Sequence, residues 1–364
     1  MALTNDSVLA ALKAVMDPDL HRDIVSLGFV KDIVIQGGRV AFKVELTTPA
    51  CPVKDLLKKQ CHEVVSRLPG VTAVEVEMTA QVRATGPAAG MPAGLPQVKN
   101  VIAVGAGKGG VGKSTLAVNI ALGLQQSGAR VGLLDADVYG PSIPTMLGNH
   151  ERPTMAGDKK AHPNRAHGLA MMSVGLVLDP EKPMVVRGPI VHGVIRQFLT
   201  DVAWGELDYL VVDLPPGTGD VALSLAQTVP VTGAVVVSTP QDVSLIDVQK
   251  AVAMFESLKI PVLGLVENMS FYVCPRCGNR DEIFGHMGAE AWARERKLPF
   301  LGGVPLHASV RTGGDEGLSA LADPQAPAAV REALVHVARE VARQASIRNA
   351  QQPPPPLIQV QGLS

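Results

Sequence analysis

Eight consecutive residues carry the most specific chemistry in this chain. Gly107-Lys108-Gly109-Gly110-Val111-Gly112-Lys113-Ser114 fits the spacing G-x-x-x-x-G-K-[ST], a loop that cradles phosphates. Its glycines permit the turn and let backbone N–H groups approach phosphate oxygens. A helix starting beside Lys113 adds the positive end of its dipole. Lys113 is expected to reach the β- and γ-phosphates, and the Ser114 hydroxyl to ligate Mg2+. The chemistry expected is binding and hydrolysis of a nucleoside triphosphate. A chance glycine-rich turn would lack the acidic groups that this chain places further on.

Those acids end two apolar runs. Leu133-Leu134-Asp135-Ala136-Asp137 leads into Tyr139-Gly140-Pro141-Ser142, and the run 209–212 ends in Asp213, before Leu214-Pro215-Pro216-Gly217-Thr218-Gly219-Asp220. Asp213 is expected on the magnesium side of the site, acting through a water. Gly217 and Gly219 suit a loop that senses the γ-phosphate. Taken alone, each aspartate reads equally well as a strand-end turn or a helix cap.

Cys274-Pro275-Arg276-Cys277-Gly278 is a second kind of site. One C-x-x-C supplies two thiolates, whereas a structural zinc or a [4Fe–4S] cluster takes four ligands. Two chains sharing one cluster would complete the set. Zinc with His286, a redox dithiol and a plain turn are the alternatives. Cys51 stands ahead of Pro52 at an expected helix N-terminus. It is expected either to have a lowered pKa and act as a transient transfer ligand, or to be a small buried residue. Cys61, inside that helix, reads as core.

The elements that position these groups follow an α/β pattern. From Asn100 onward, apolar runs at 101–104, 131–135, 209–213, 234–238 and 262–266 are separated by helical stretches such as 113–127 and 243–258. That alternation implies a mainly parallel sheet with helices on both faces. An amphipathic helix is expected at 326–347. Residues 1–83 read as a separate small α/β domain. It has a helix at 7–16, strands at 29–35 and 39–46 split by Gln36-Gly37-Gly38, a helix from Pro52 to about Arg67, and a strand at 71–78. Residues 84–98 are a Gly/Pro/Ala linker, whose core spans roughly 20 Å as a flexible coil, so the small domain is expected to visit several positions. The large domain takes 99–348. A Pro-rich tail, 349–364, is expected to stay extended at Pro353 to Pro356.

Composition narrows the classes. Apolar residues make up 46% and charged residues 18%, as in a globular chain. Aromatics are only 3%, so the core must be built from Val, Leu, Ala and Ile. A net charge of −1 gives no reason to expect nucleic acid or an anionic membrane as partner. The start of the chain has no basic residue before its first apolar positions, against a secretory signal. No apolar run is long enough to span a membrane. A cytoplasmic chain is expected, with its four cysteines free, metal-binding or catalytic.

The second lysine of the loop, Lys108, resembles the signature lysine of the MinD, ParA, ArsA and nitrogenase-reductase group, where it crosses a dimer interface to the partner's nucleotide. Gly107 to Thr115, Asp135-Ala136-Asp137-Val138-Tyr139-Gly140-Pro141-Ser142, Asp213 to Asp220, Glu267-Asn268-Met269 and Cys274 to Cys277 together resemble the Mrp/ApbC family of iron–sulfur carrier ATPases. Asp17-Pro18-Asp19, Asp23-Ile24-Val25-Ser26-Leu27-Gly28 and Thr47-Thr48-Pro49-Ala50-Cys51-Pro52 resemble the small domain shared by iron–sulfur assembly factors. The resemblance covers nearly all of the chain except the linker and the tail. The extra four-cysteine motif of some eukaryotic relatives is missing, which favours the bacterial type.

The resemblance implies a P-loop NTPase fold and a cytoplasmic homodimer that binds ATP and Mg2+ and hydrolyses ATP slowly. One [4Fe–4S] cluster would sit between Cys274 and Cys277 of two chains, arrive from a donor protein, and pass to apo-proteins. Nucleotide contacts would come from Gly107 through Thr115 and from Asn268, which would read the adenine edge. Ser114, Asp135 and Asp213 would serve the magnesium. Lys108 and Asp137 would be catalytic, Asp137 by orienting the attacking water. Three rivals differ in class: a MinD- or ParA-type positioning ATPase with a structural zinc knuckle, a reductase like the nitrogenase iron protein, and a nucleotide-binding scaffold without turnover. The first lacks a basic surface excess and an amphipathic anchor in this sequence. The second uses two widely spaced single cysteines, which this sequence does not have.

Overall fold

A computed structural model describes residues 3–85, 95–155, 160–177, 188–217, 219–274 and 276–351. The first unit comprises α1 (Asn5–Leu12), β1 (Met16–Asp17), β2 (Arg22–Asp23), β3 (Val30–Gln36), β4 (Arg39–Leu46), α2 (Lys54–Ser66) and β5 (Ala73–Ala80). Every second residue of β4, namely Val40, Phe42, Val44 and Leu46, is buried, as alternation on a half-covered sheet requires. The α2 helix buries Leu57, Cys61 and Val65, spaced four apart, in the same core. The sheet runs β3-β4-β5, antiparallel and then parallel. Reciprocal capping between Thr4 and Ser7 starts α1 earlier than the 7–16 expected. Pro52 is not the first helical residue: Val53 caps α2 and Lys54 begins it.

The second unit continues with β6 (Val98–Ala106), α3 (Lys113–Gln126), β7 (Val131–Asp135), α4 (Ile143–Met146), β8 (Asn164–Ala166), β9 (Leu169–Ser173), α5 (Gly188–Thr200), β10 (Leu207–Asp213) and α6 (Gly219–Thr228). There follow β11 (Gly233–Ser238), α7 (Asp242–Ser257), β12 (Val262–Val273), β13 (Arg280–Asp281), α8 (Gly288–Arg296), β14 (Phe300–Leu306), α9 (Ala308–Asp315) and α10 (Ala328–Gln351). The sheet order is β13-β12-β11-β6-β10-β7-β9-β8, with β14 also pairing β12. All pairs are parallel except β12/β13 and β8/β9 at the margins. Successive residues of β6 feed opposite faces. Ile102 and Val104 enter the core under α3 and α10, and Val101 and Ala103 enter the core under α5, α6, α7 and α8. The expected doubly covered parallel sheet is present. Among the described residues, no helix is long and apolar enough to cross a membrane.

In this structure the small unit packs against the large one. Ala50 and Val82 belong to the core under α3 and α10. The Tyr209 hydroxyl donates to Thr48 Oγ1 at 3.1 Å in a buried setting. Arg343 of α10 donates to Asp19 Oδ1 at 2.6 Å and to Glu340 Oε2 at 2.9 Å. These contacts join the two units in the structure. Much of the expected linker (86–94) and most of the expected tail, including Pro353 to Pro356, lie outside the described residues, as do Thr218 and Pro275 of the motifs. The first residues assigned to the tail are helical, and Asn349 Nδ2 donates to Arg83 O and Asn100 Oδ1.

Candidate nucleotide and dithiol site

Parallel strands place their carboxyl ends along one edge, where ligands bind in open α/β sheets. Here β6 runs into the phosphate loop and α3 leaves it. Two glycines are required by what surrounds the loop. A Cβ on Gly107 would lie 2.1 Å from the Asp247 carbonyl oxygen of α7. Gly112 has φ 83°, and a Cβ on it would lie 2.1 Å from Asn268 Nδ2.

Lys113 opens α3 and is only 7% exposed. Its Nζ donates to Asp213 Oδ1 at 2.6 Å and to Ser114 Oγ at 3.1 Å, and lies 3.5 Å from Asp137 Oδ2. Asp135 and Asp213 end adjacent strands in direct register, and both are fully buried. Asp135 accepts the Ser173 hydroxyl at 2.9 Å and the N–H groups of Asp137 and Ile143. Burial, then the neighbouring Asp213 carboxylate, pushes the Asp135 carboxyl up to about 7. Burial also raises Asp213, against the pull of Lys113. Asp213 Oδ2 is buried with no hydrogen-bond partner among the described residues. The three carboxylates do not by themselves form a metal-sized group among the described residues, but an orphaned Asp213 oxygen and the neighbouring Ser114 hydroxyl are hard donors of the kind that hold Mg2+ together with nucleotide phosphate oxygens and water. Asp137 accepts from Gly140 N–H, and the Gly217 N–H reaches back to Ala106 O at 3.2 Å, joining the second acidic segment to the start of the loop.

Asn268 is 4% exposed and donates to Val111 O at 2.9 Å. It borders a cavity of about 430 Å³ that also touches Gly112, Thr115, Ser142, Pro305 and Val310. Lys108 is half-exposed, and among the described residues no carboxylate pairs with it. Sequence reasoning missed Ser173, which orients Asp135, and the stretch from Pro305 to Val310 beside the cavity. The one available signal for the latter was the apolar run broken by Gly302-Gly303.

Past Asn268, β12 continues to Val273 and turns back through β13, pairing Tyr272 with Asp281 and Val273 with Arg280. The C-x-x-C forms the tip of that hairpin. Cys274 N–H donates to Asn279 O, and Gly278 N–H, at φ 71°, donates to Cys274 O. Arg280 stacks 4.0 Å over the Phe271 ring. The Arg276 and Cys277 N–H groups, then the Cys277 thiol, hold the Cys274 thiol below its ordinary value. Cys277 is exposed. Among the described residues no cluster of three or more His, Cys, Asp or Glu forms a metal-sized group. His286, the zinc alternative, has its Nδ1 2.6 Å from Glu282 Oε1.

Of the two readings of Cys51, the thiol lowered by a helix N-terminus is not the one that fits. Burial, reinforced by Asp17 and Asp19, pushes its thiol up to about 11. The N-terminal N–H groups of α2 begin beyond Val53, and the turn holding Cys51 packs beside Arg343, Ser346 and Ile347 of α10. Cys61 is fully buried, as expected.

The family profile described as NUBPL iron-transfer P-loop NTPase matches residues 97–342, and that of the iron-sulfur cluster assembly protein family matches residues 5–77. The iron-sulfur cluster carrier protein of Deinococcus radiodurans is 51% identical over 352 residues, covering 96% of this chain and 98% of that one. The protein of the same name from Synechocystis is 46% identical over 352 residues, covering 95% and 99%. A solved nucleotide-binding protein from Archaeoglobus fulgidus, in complex with ADP, is similar at 41% identity and a TM-score of 0.55, covering 61% of this chain and 88% of that one.

Proposed function

This chain belongs to the NUBPL iron-transfer P-loop NTPase family, and on that footing we propose that it is an ATP-hydrolysing carrier of iron–sulfur clusters. One observation carries the proposal: a single strand, β12, has Asn268 against the phosphate loop and leads into Cys274 of the dithiol hairpin. The two are six residues apart by number (274 − 268), roughly 20 Å along an extended chain. Nucleotide state and cargo ligands therefore share one covalent path.

In this reading Lys113 leaves Asp213 to meet the β- and γ-phosphates, and Asp137 orients the attacking water. Asn268 spends its amide N–H on Val111, which leaves its carbonyl oxygen for the amine of adenine. Ser114, Asp135 and Asp213 would hold Mg2+, which neutralises phosphate charge. Lys108 reaches the nucleotide of a second copy. Val243 and Ile246, 67% and 60% exposed on the helix that backs Gly107, offer apolar surface for that copy. The cargo is one [4Fe–4S] cluster held by Cys274 and Cys277 of both protomers and handed to apo-proteins of the cytoplasm. Hydrolysis changes conformation and does no covalent chemistry on the cargo.

The test is anaerobic purification followed by iron, sulfide and zinc analysis and a transfer assay to an apo-protein. Iron and sulfide in equal amounts, with transfer that depends on ATP, support the reading. A colourless protein with stoichiometric zinc and no transfer would end it.

A further inference from the structure

Glu267 is 1% exposed and sits in the middle of the sheet, paired through its backbone to Ser238 of β11 and Gly303 of β14. A carboxylate in such a place is costly unless its oxygens are bonded. Both are. Oε2 accepts the Ala289 N–H at 2.8 Å, in the first turn of α8, where the helix dipole favours negative charge. Oε1 accepts the Ser270 hydroxyl at 2.5 Å.

Ser270 lies beyond a break in the strand. Met269 takes φ 55°, a left-handed conformation that is uncommon outside glycine. The pairing with β14 jumps from Asn268↔Val304 to Tyr272↔Leu306, so β12 advances four residues while β14 advances two. An insertion of this kind bends a strand and interrupts its ladder. The Glu267–Ser270 hydrogen bond spans the interruption. Its slot is tight, because a Cβ on Gly303 would lie 2.8 Å from Ser270 Oγ.

We propose that Glu267 and Ser270 are positioning residues that couple the nucleotide-facing half of β12 to its dithiol-bearing half. Loading of the phosphate loop moves Asn268, Glu267 carries that displacement across the break through Ser270, and the hairpin with Cys274 and Cys277 follows. This deepens the carrier reading and rests on its link along β12, but it needs no cluster to be tested.

The test uses the full, reduced, metal-free chain and the alkylation rate of exposed Cys277, with and without Mg2+ and a non-hydrolysable ATP analogue. The wild type should show a nucleotide-dependent change of at least about fivefold, the low end of ordinary coupling between sites. In Ser270→Ala the ratio should fall to near one while affinity for the analogue is unchanged. Glu267→Gln should keep the wild-type ratio, because its carbonyl oxygen still accepts from Ala289 and its amide donates to Ser270. A merely structural role would lower the melting temperature of Ser270→Ala and leave the ratio alone, which would overturn the joint while the link along β12 stands. A wild type without any nucleotide effect on Cys277 would overturn both. The iron and sulfide assay decides the cargo separately.

Discussion

Lys113 Nζ lies 2.6 Å from Asp213 Oδ1, with the ammonium nearly buried and the carboxylate completely so. The charge that the proposed reading assigns to the phosphates is thus held inward by an acid at a strand end. Removing one partner of a buried pair usually costs about 3–5 kcal/mol. Lys113→Ala should therefore lose ATP binding and also stability. Asp213 would be left with burial as its main influence, so its carboxyl would rise further. A raised carboxyl keeps its full stability only below the ordinary aspartate value of about 3.9 and gives it up as pH climbs toward its folded value, so the defect should be smallest at about pH 4 and grow as pH rises. Calorimetric binding, and denaturant melts across a pH series from about 4 upward, check both effects. Wild-type turnover in this variant would remove the phosphate-loop assignment.

Lys108 has no described counter-ion to lose, so its removal should spare the fold. Lys108→Ala should bind ATP normally and hydrolyse it about 10³-fold more slowly, as when an arginine finger is withdrawn. In mixed dimers with Lys113→Ala, the intact Lys108 of one chain should serve the nucleotide held by the other. Absence of rescue in verified heterodimers would count against action across the interface.

In the proposed dimer, Cys274→Ala or Cys277→Ala would leave at most two hairpin thiolates. Reconstituted wild type should hold about four irons and four sulfides per dimer, and either variant almost none. ATP binding should survive in both. Retention of a stable cluster would show that its ligands lie elsewhere.

The thiols should separate by pH. With its thiol at about 11, Cys51 would be ionised at pH 8 to about one part in a thousand, from 8 − 11 = −3. Its alkylation should still be climbing at about pH 10. Cys274, held below the ordinary thiol value by its own turn, should reach half-maximal rate earlier. Peptide-resolved mass spectrometry across a pH series measures both. Equal rates at neutral pH would refute the assignment of Cys51 as a half-buried, protonated thiol.

Much of this site was legible because its parts are local. A phosphate loop is a run of eight residues, and β7 at Val131–Asp135 coincides with the apolar run 131–135, since a strand buried on both faces has no polar interruption. What failed was non-local. The β12 run looked finished at Val266, but Glu267, Asn268 and Ser270 are polar residues whose partners are Ala289, Val111 and one another. The stretch from Pro305 to Val310 borders the cavity only because β14 pairs with β12. The sequence leaves two readings of Cys51 open because Arg343, Ser346 and Ile347 beside it come from α10, about 290 residues further along the chain.

Ala50 and Val82 lie in the same core as the buried face of α3, and α3 begins at Lys113. A donor or client protein that grips the small unit consequently grips the frame around the phosphate loop as well. Under the carrier reading, the packing of the small unit would then set the angle at which a visitor meets the dithiol hairpin.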